Sequence, residues 1–565
     1  MKLVCLLWVG GIGVGAAIAT GVGWSEAMAQ PLPPQSPELP SLPDRLPPPS
    51  PDILVPPLET PAQRDGPAEE IPEIRVRQIE VLGNTVFSAA ELAELTAAYE
   101  GRSLAFEELI NLRTAITDLY VANGYTTSGA FIPPQDVSDG VVQVQVVEGR
   151  LDRLTITGVS RLSEAFIRHR LEQASGPPLS LPALEQALQL LQQDPAIASV
   201  RAELMAGRGP GLSELRLTIT EAFPVEGRLR LANRNSPNVG SLRPSVEVQV
   251  HSPLGIGDSL LGEFSLTEGV REGFVRYELP VNAENTRLSL SYQRGRSRVV
   301  EEPFEVLGIR STDEDWRLGV SHPLWETSND VFRVGMSLGL QRSRTFIFDD
   351  EPFSFSEGPE DGRSNLTVLQ LTQDWSSRSP AEVVAARSQF SLGVDAFNAT
   401  RHETAPDGLF FAWLGQFQWV RSLAPDTLLV TRMAAQLAAD PLLPISQFGL
   451  GGPDTVRGYL QNQRVGDSGV MLSLEFRYPL IRDPGGLGIV QIAPFLDLGT
   501  VWNLGSDREI PNPQTLLGTG VGLRWEMAPD FSATLDWGIP LVDVGDRGDS
   551  LPGNGIYFSI EYRPF

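Results

Sequence analysis

The chain has 565 residues, a formal net charge of −26 and one cysteine, Cys5. This length exceeds what one ordinary hydrophobic core holds, so it predicts several domains, or one large barrel that takes up much of the chain. The negative charge argues against nucleic-acid binding, which depends on basic surface, and favours an acidic exported protein.

The first thirty residues have the pattern of a secretory signal. A lysine precedes an apolar run over residues 3–22, and Ala27-Met28-Ala29 offers a small-residue cleavage site. We predict that residues 1–29 are a cleaved signal peptide; the alternative is an uncleaved membrane anchor, because the run is nearly long enough to span a bilayer. Cleavage removes Cys5, which excludes disulfide and zinc–thiolate frameworks from the mature chain.

A proline-rich segment follows the predicted signal. The stretch from Pro31 to Pro72 holds 15 of the chain's 46 prolines. Such a composition favours extended, polyproline-like backbone and supplies no core. Residues 30–73 are therefore predicted to be a tether.

A weak internal repeat comes next. "RQIEVLGN" and "DRLTITGV" each read as an alternating strand that ends in glycine, and Gly83 and Gly158 are 75 residues apart. In the first copy, Ser88-Ala89-Ala90-Glu91 has the form of a capping box, which predicts the start of a helix. A second helix is predicted from a one-sided apolar pattern with a glycine cap at Gly124. Its apolar positions are Leu109, Leu112, Ile116 and Leu119.

The second copy repeats the order strand, helix, helix, strand, strand. One helix is predicted to begin at Ser163, and the next carries Leu184, Leu188 and Leu191 on one face. We therefore predict two tandem βααββ domains, at residues 74–149 and 150–222, each large enough for a core of its own.

After about Pro224 the chain consists of strictly alternating segments. In one of them, apolar residues at every second position from Phe332 to Leu340 alternate with polar or small ones. A soluble sandwich would show the same pattern and is the alternative. Short turns mixed with long loops favour a membrane barrel, as does the position of the tryptophans, which beyond the signal all lie at or after Trp316.

Residues 223–565 are thus predicted to form a transmembrane antiparallel β-barrel. At roughly 20 to 22 residues per strand and connection, the length gives about 16 strands, an even number. Closure leaves no unpaired sheet edge in lipid. The predicted fold is mostly β, with two small βααββ domains preceding the barrel.

One long loop and the strand after it carry the most specific motifs. The loop contains "TVRGY", and its glycines permit the tight path that a tip tucked into the barrel needs. On the strand of residues 491–502, alternation places Phe495, Asp497 and Gly499 toward the lumen if the neighbouring leucines face lipid.

Two βααββ units followed by a barrel with these motifs resemble the outer-membrane transporters of two-partner secretion, the TpsB or hemolysin-activator type. The resemblance covers Ile74 to Phe565. That family is related to the BamA-like barrel-assembly factors, and its small periplasmic units are named POTRA domains. It implies a lumenal salt bridge between Arg457 and Asp497. The implied pore or gating residues are Arg457, Gly458, Tyr459, Phe495, Asp497 and Gly499.

The resemblance also implies a function. An unfolded TpsA-type exoprotein would cross the outer membrane of a Gram-negative-type bacterium, received in the periplasm by the POTRA domains. It would bind by strand addition to a sheet edge, or in the groove beside the helix that carries Leu184, Leu188 and Leu191. Outer-membrane lipid and the barrel-assembly machinery that inserts the barrel are further expected partners. No cofactor and no nucleic acid is expected.

Three alternatives stay open at this point. A BamA-like insertion factor shares "VRGY" and POTRA units but usually carries more of those units. A passive porin would leave the two soluble domains unexplained. An enzyme has little support, because the four histidines are scattered and form no metal-binding or triad pattern.

Overall fold

The computed structural model describes residues 73–565, except 173, 175, 404–405, 484, 506–509, 511, 528–529 and 546. The predicted signal peptide and almost all of the predicted tether lie outside the described residues. Within the described part, no helix is both long enough and apolar enough to cross a membrane.

The first soluble domain contains two helices and five strands. In chain order they are β1 (Ile74–Val76), β2 (Gln78–Leu82), α1 (Ala89–Thr96), β3 (Arg102–Leu104), α2 (Phe106–Ala122), β4 (Gly129–Phe131) and β5 (Val141–Val147). The main sheet has the order β2-β5-β4, and β1 pairs separately with β3. Helix α1 begins with the predicted capping box, in which Glu91 N–H donates to Ser88 Oγ at 3.3 Å and Ser88 N–H donates to Glu91 Oε2 at 2.8 Å.

Helix α2 packs its apolar face into this domain. Leu109, Leu112 and Ile116 are buried as predicted, but Tyr120 takes the fourth buried position and Leu119 is only half-buried. At 100° per residue, positions 119 and 120 both lie about 50° from the centre of the stripe, so periodicity alone does not choose between them.

The second soluble domain repeats the arrangement with β6 (Arg150–Thr157), α3 (Glu164–Glu172), α4 (Leu181–Gln192), β7 (Ile197–Ala206) and β8 (Leu212–Glu221). Its sheet has the order β6-β8-β7. Leu184, Leu188 and Leu191 are 0%, 0% and 3% exposed in the core of this domain. The prediction that these leucines contact a partner is therefore wrong, because side chains without accessible surface cannot make that contact.

Glu221, the last residue of β8, binds the loop between β6 and α3. Glu221 Oε1 accepts the backbone N–H groups of Ser160, Arg161 and Leu162, each at 2.8 Å. Partial burial alone would raise the pKa of Glu221, but these hydrogen bonds outweigh burial and lower it to about 2. Glu148 holds the matching loop of the first domain, where it accepts the Thr85 N–H at 2.6 Å.

The rest of the chain forms a closed antiparallel barrel of 16 strands, which confirms the predicted fold class. The short β16 extends one edge of β15, and β21 and β22 form a separate hairpin. The elements are β9 (Val225–Ala232), β10 (Arg243–His251), β11 (Ser259–Leu266), β12 (Val270–Pro280), β13 (Arg287–Arg298), β14 (Arg310–Glu326), β15 (Asp330–Ile347), β16 (Glu351–Pro352), β17 (Arg363–Arg378), β18 (Glu382–Gly393), β19 (Phe411–Ala424), β20 (Thr427–Ala438), β21 (Phe448–Leu450), β22 (Arg464–Gly466), β23 (Ser468–Asp483), β24 (Gly488–Trp502), β25 (Thr515–Met527), β26 (Phe531–Pro540) and β27 (Ile556–Tyr562).

Apolar side chains cover the outside of the barrel. Met336 is 60% exposed and Leu318 58%, whereas the charged Glu475 of the same sheet, at 2%, points inward and is buried. Trp325 and Trp375 both lie beside Phe332 on neighbouring strands, in an aromatic group at one end of the barrel. Such groups are typical of the membrane interface.

The barrel closes where β27 pairs with β9. The register of this seam runs over four residue pairs, from Leu229 opposite Tyr562 to Ala232 opposite Ser559. Beyond the last pair, the side chain of Asn233 donates to the Ile556 carbonyl oxygen at 2.9 Å and accepts the Phe558 N–H at 2.6 Å. A side chain thereby extends the seam.

The second soluble domain contacts three turns at one end of the barrel. The contact includes four hydrogen bonds: Ser163 N to Gly255 O (2.8 Å), Arg170 Nη2 to Asn285 Oδ1 (3.0 Å), Gln186 Nε2 to Glu326 O (3.1 Å) and Gln193 Nε2 to Ser328 O (2.9 Å). Both α3 and α4 therefore lie against the mouth of the barrel.

Candidate functional site

A long loop between β20 and β23 lies inside the barrel. We name residues 439–467 the inner loop; it contains the hairpin of β21 and β22. Leu450, Val456 and Tyr459 of this loop are completely buried, in a cluster with Met471 of β23 and Leu516 of β25. The expectation that this loop tucks into the lumen is confirmed.

Arg457 in the inner loop forms a bidentate ion pair with Asp497 on β24. Nε lies 2.7 Å from Oδ2, and Nη2 lies 2.9 Å from Oδ1. The backbone N–H of Arg457 also donates to Oδ2, at 3.1 Å. The side chains are 3% and 0% exposed, so this pair is fully enclosed. The planar fork of a guanidinium suits such paired contacts with a carboxylate.

The remaining guanidinium nitrogen of Arg457 contacts two other carboxylates. Nη1 lies 2.6 Å from Glu475 Oε2 and 3.4 Å from Asp536 Oδ1. The Phe495 ring lies against the guanidinium, with its centroid 3.4 Å from Cζ. With Ser473 Oγ, 3.3 Å from Nη2, five strand residues therefore contact one loop cation.

Glu475 connects this cation to two arginines of the wall. Its Oε1 accepts from Arg477 Nε at 2.8 Å, and its Oε2 accepts from Arg524 Nη2 at 2.7 Å. Arg524 also pairs with Asp536 at 2.7 Å. These contacts join three arginines and three carboxylates. A buried network of this kind fixes geometry more than it adds net stability.

Glu475 and Asp536 were not predicted as partners of Arg457, nor was Arg524 predicted as their second cation. One signal was available, since each is a charged residue at a lumen-facing position of its strand. Alternation assigns the face but not the height at which residues of different strands meet.

Gly458, Tyr459 and Gly499, the other predicted residues of the two motifs, also lie where the inner loop contacts the barrel wall. Gly458 has a φ of +99°, and a Cβ there would lie 2.9 Å from the Pro540 nitrogen. The hydroxyl of Tyr459 is 2.8 Å from the Leu517 carbonyl oxygen. A Cβ on Gly499 would lie 2.8 Å from the Leu450 side chain, so this glycine makes room for β21.

The site contains no residues arranged for metal chemistry. Among the residues that the structure describes, no group of three or more histidine, cysteine, aspartate or glutamate side chains could hold a metal ion. The charged side chains can hold the inner loop in the barrel through the ion pairs of Arg457, and breaking these pairs would release the loop.

Comparison with known proteins identifies the family. The model of the haemolysin secretion/activation proteins ShlB/FhaC/HecB matches residues 211–525, and that of the ShlB-type POTRA domain matches residues 74–149. The outer membrane transporter CdiB of Escherichia coli O6:K15:H31 is 27% identical over 506 residues, which are 87% of this chain and 82% of the relative. The heme/hemopexin transporter protein HuxB of Haemophilus influenzae Rd is 24% identical over 490 residues, 82% of this chain and 83% of the relative.

Solved structures share the fold. CdiB from Escherichia coli matches with a TM-score of 0.67 at 23% identity, over 89% of this chain and 92% of that one. BamA from Haemophilus ducreyi lacking POTRA domains 1–3 matches with a TM-score of 0.54 at 15% identity, over 88% and 100%. The chain therefore belongs to the ShlB/FhaC/HecB family of haemolysin secretion and activation proteins, the outer-membrane transporters of two-partner secretion, with its POTRA region in the periplasm.

Proposed function

We propose that this transporter receives an unfolded TpsA-type exoprotein at its POTRA domains and passes it through the barrel once the inner loop has moved. The observation that carries the proposal is the enclosed ion pair of Arg457, which holds a long loop inside the bore. A loop in that place must move before a polypeptide passes. Ion pairs suit a reversible hold, because water solvates both charges again when the loop leaves.

The receiving surface that we propose lies between α4 and β7 of the second POTRA domain. β7 is at one edge of its sheet. There the side chain of Gln192 donates to the Ala198 carbonyl oxygen at 3.1 Å and accepts the Val200 N–H at 2.7 Å. Gln192 thus occupies hydrogen-bonding positions that a neighbouring strand would use, and an extended exoprotein segment would take its place.

The position of α4 supports a direct transfer to the barrel. Gln186 of this helix donates to the carbonyl oxygen of Glu326 at the end of β14, and Gln193, directly after the helix, donates to that of Ser328 in the turn before β15. A segment held beside α4 would therefore lie next to the entrance. We propose that folding of the exoprotein outside the cell gives the transfer its direction, because the periplasm lacks nucleotide fuel.

Lipid contact and assembly are further parts of the proposal. The apolar outer surface, with side chains such as Met336 and Leu318 about 60% exposed, suits the hydrocarbon of the outer membrane. We expect the barrel-assembly machinery to insert this barrel.

A secretion assay tests the proposal. Cells that express the transporter together with its exoprotein are compared for wild type, Arg457→Ala, Asp497→Ala and the exchanged pair Arg457→Asp/Asp497→Arg. We expect both single variants to secrete abnormally, with partial restoration in the exchange. Asp454→Ala is the matched control, because Asp454 lies in the same loop but forms an exposed pair with Arg234. Normal secretion by both single variants would contradict the gating role.

A barrel-insertion factor is the second candidate. The fold shared with BamA supports it, and fold alone does not separate the two roles. Depletion of the transporter decides between them. Loss of one secreted exoprotein supports secretion, whereas a general loss of outer-membrane barrels supports insertion.

A further inference from the structure

The tip of the inner loop rests on a strip of wall that has no side chains. We name Arg457-Gly458-Tyr459 the tip, and Gly518 of β25, Gly538 of β26 and Gly555 beside β27 the glycine strip. A Cβ on Gly518 would overlap the carbonyl oxygen of Arg457, and one on Gly538 would lie 2.8 Å from the carbonyl carbon. Cβ atoms do not approach other atoms so closely, so loop backbone lies directly on strand backbone.

Polar side chains around the strip bind the backbone of the tip. The Tyr557 hydroxyl, 3.1 Å from the N–H of Gly458, accepts it and donates to the carbonyl oxygen of Tyr459 at 2.6 Å. Arg547 Nη1 donates to the Gly458 carbonyl oxygen at 2.6 Å. Asp497 accepts the N–H of the first tip residue. These contacts depend on main-chain groups and hence little on sequence.

The central position of the tip, Gly458, does depend on sequence, because only glycine fits there. Gly458 has a φ of +99°, which residues with a Cβ rarely adopt. A Cβ there would also lie 2.9 Å from the Pro540 nitrogen and 3.0 Å from the Ile539 carbonyl carbon. The seat formed by the strip and the polar side chains therefore selects a segment with a central glycine.

We infer that this seat is a binding site for polypeptide backbone, occupied at rest by the chain's own tip and open to a glycine-containing segment once the tip has left. The inference rests on the proposed function, since a translocating chain is what brings a second polypeptide into the bore. The tip is then a tethered competitor with a high effective concentration. Release of the loop would expose a site that holds the passing chain transiently.

Peptide binding to the full-length transporter tests the inference. The probe is a fluorescent peptide TVRGYLQ, which copies residues 455–461, and its partner has alanine in place of the glycine. Binding is measured by anisotropy in detergent, with wild type and with Arg457→Ala, which weakens the hold on the tip. We expect saturable binding to Arg457→Ala, at least about tenfold weaker binding to wild type, and at least about tenfold weaker binding of the alanine peptide.

A variant of the wall links this binding to the seat. Adding Tyr557→Phe to Arg457→Ala removes the hydroxyl that makes two backbone contacts, and we expect about tenfold weaker peptide binding. Equal binding of both peptides, or no binding to Arg457→Ala, would overturn the inference. The secretion assay does not depend on this result. A negative peptide-binding experiment can therefore be distinguished from a failure of the proposed function.

Glycine substitutions provide a second, independent test of the contact between the tip and the glycine strip. Gly538→Ala places a methyl group where the tip lies, so we expect the tip to leave the seat and to become sensitive to trypsin. Gly262→Ala and Gly273→Ala are matched controls on barrel strands, because a Cβ at either position meets nothing within 4 Å. Equal protection of the tip in Gly538→Ala and in the controls would refute close backbone contact at the strip.

Discussion

Replacement of Asp497 by asparagine is the sharpest test of how the inner loop is held. The carboxylate accepts three N–H groups of Arg457 at 2.7, 2.9 and 3.1 Å and is 0% exposed. Asparagine keeps the shape but offers one acceptor oxygen and no charge. Its amide group would also face a guanidinium donor.

The expected cost follows from these contacts. A hydrogen bond to a charged group contributes about 1.5–3 kcal/mol, and loss of one partner of a buried ion pair costs about 3–5 kcal/mol. Glu475 and Asp536 still attract Arg457 in the variant, which favours the lower end. About 3 kcal/mol corresponds to a shift of roughly 100-fold between the seated and the released loop.

Trypsin measures this shift, because it cleaves after arginine. Arg457 and Arg464 of the loop are 3% and 4% exposed, so the seated loop is protected. If the loop opens and closes faster than trypsin cuts, Asp497→Asn should be cleaved in the loop about 100-fold faster than wild type. Conductance of single barrels in planar bilayers gives a second reading, with more frequent open states expected.

The matched control is Asp454→Asn in the same loop. Asp454 pairs with Arg234 at 2.7 Å, but their side chains are 63% and 41% exposed, so we expect a change of about fivefold at most. Similar cleavage rates for Asp497→Asn and Asp454→Asn would refute the reasoning that the enclosed carboxylate holds the loop.

Three further predictions concern other parts of the molecule. The lowered pKa of Glu221, about 2 in the folded protein against 4.5, means that its contribution to stability is present above about pH 5 and is lost as the pH falls toward 2. Hydrogen exchange of the second POTRA domain should show this loss, and Glu221→Gln should remove most of the pH dependence. Leu188→Ala should destabilise the same domain by about 2–5 kcal/mol, measured by protease sensitivity, whereas Gln189→Ala should not. Asn233→Ala removes two hydrogen bonds beside the seam and should lower the temperature at which the barrel unfolds on a gel; an unchanged temperature would show that the seam does not need them.

Local patterns predicted the local parts of this structure well. The capping box from Ser88 to Glu91 depends on residues three positions apart, and the lumenal face of Asp497 depends on a period of two. Neither requires knowledge of the rest of the fold. The pairing of Arg457 with Asp497 came from the family resemblance, because a loop and a strand 40 residues apart share no periodic signal.

Other features could not be predicted from one sequence. An apolar helix face at Leu184, Leu188 and Leu191 indicates burial, but the same pattern fits a domain core and a partner groove. Glu475 and Arg524 meet because of the stagger between strands, which alternation does not encode. The glycine strip was not predicted, since its contact depends on a loop that arrives from another part of the chain.

The bare strip has a consequence for the shape of the opened passage. Around most of the barrel, inward side chains narrow the interior, whereas at Gly518 and Gly538 the wall is only as thick as its peptide groups. Withdrawal of the loop would therefore leave an off-centre aperture along β25 and β26. An exported chain would slide along bare backbone at these two positions, beside the charged side chains of Arg524 and Asp536 on the same two strands.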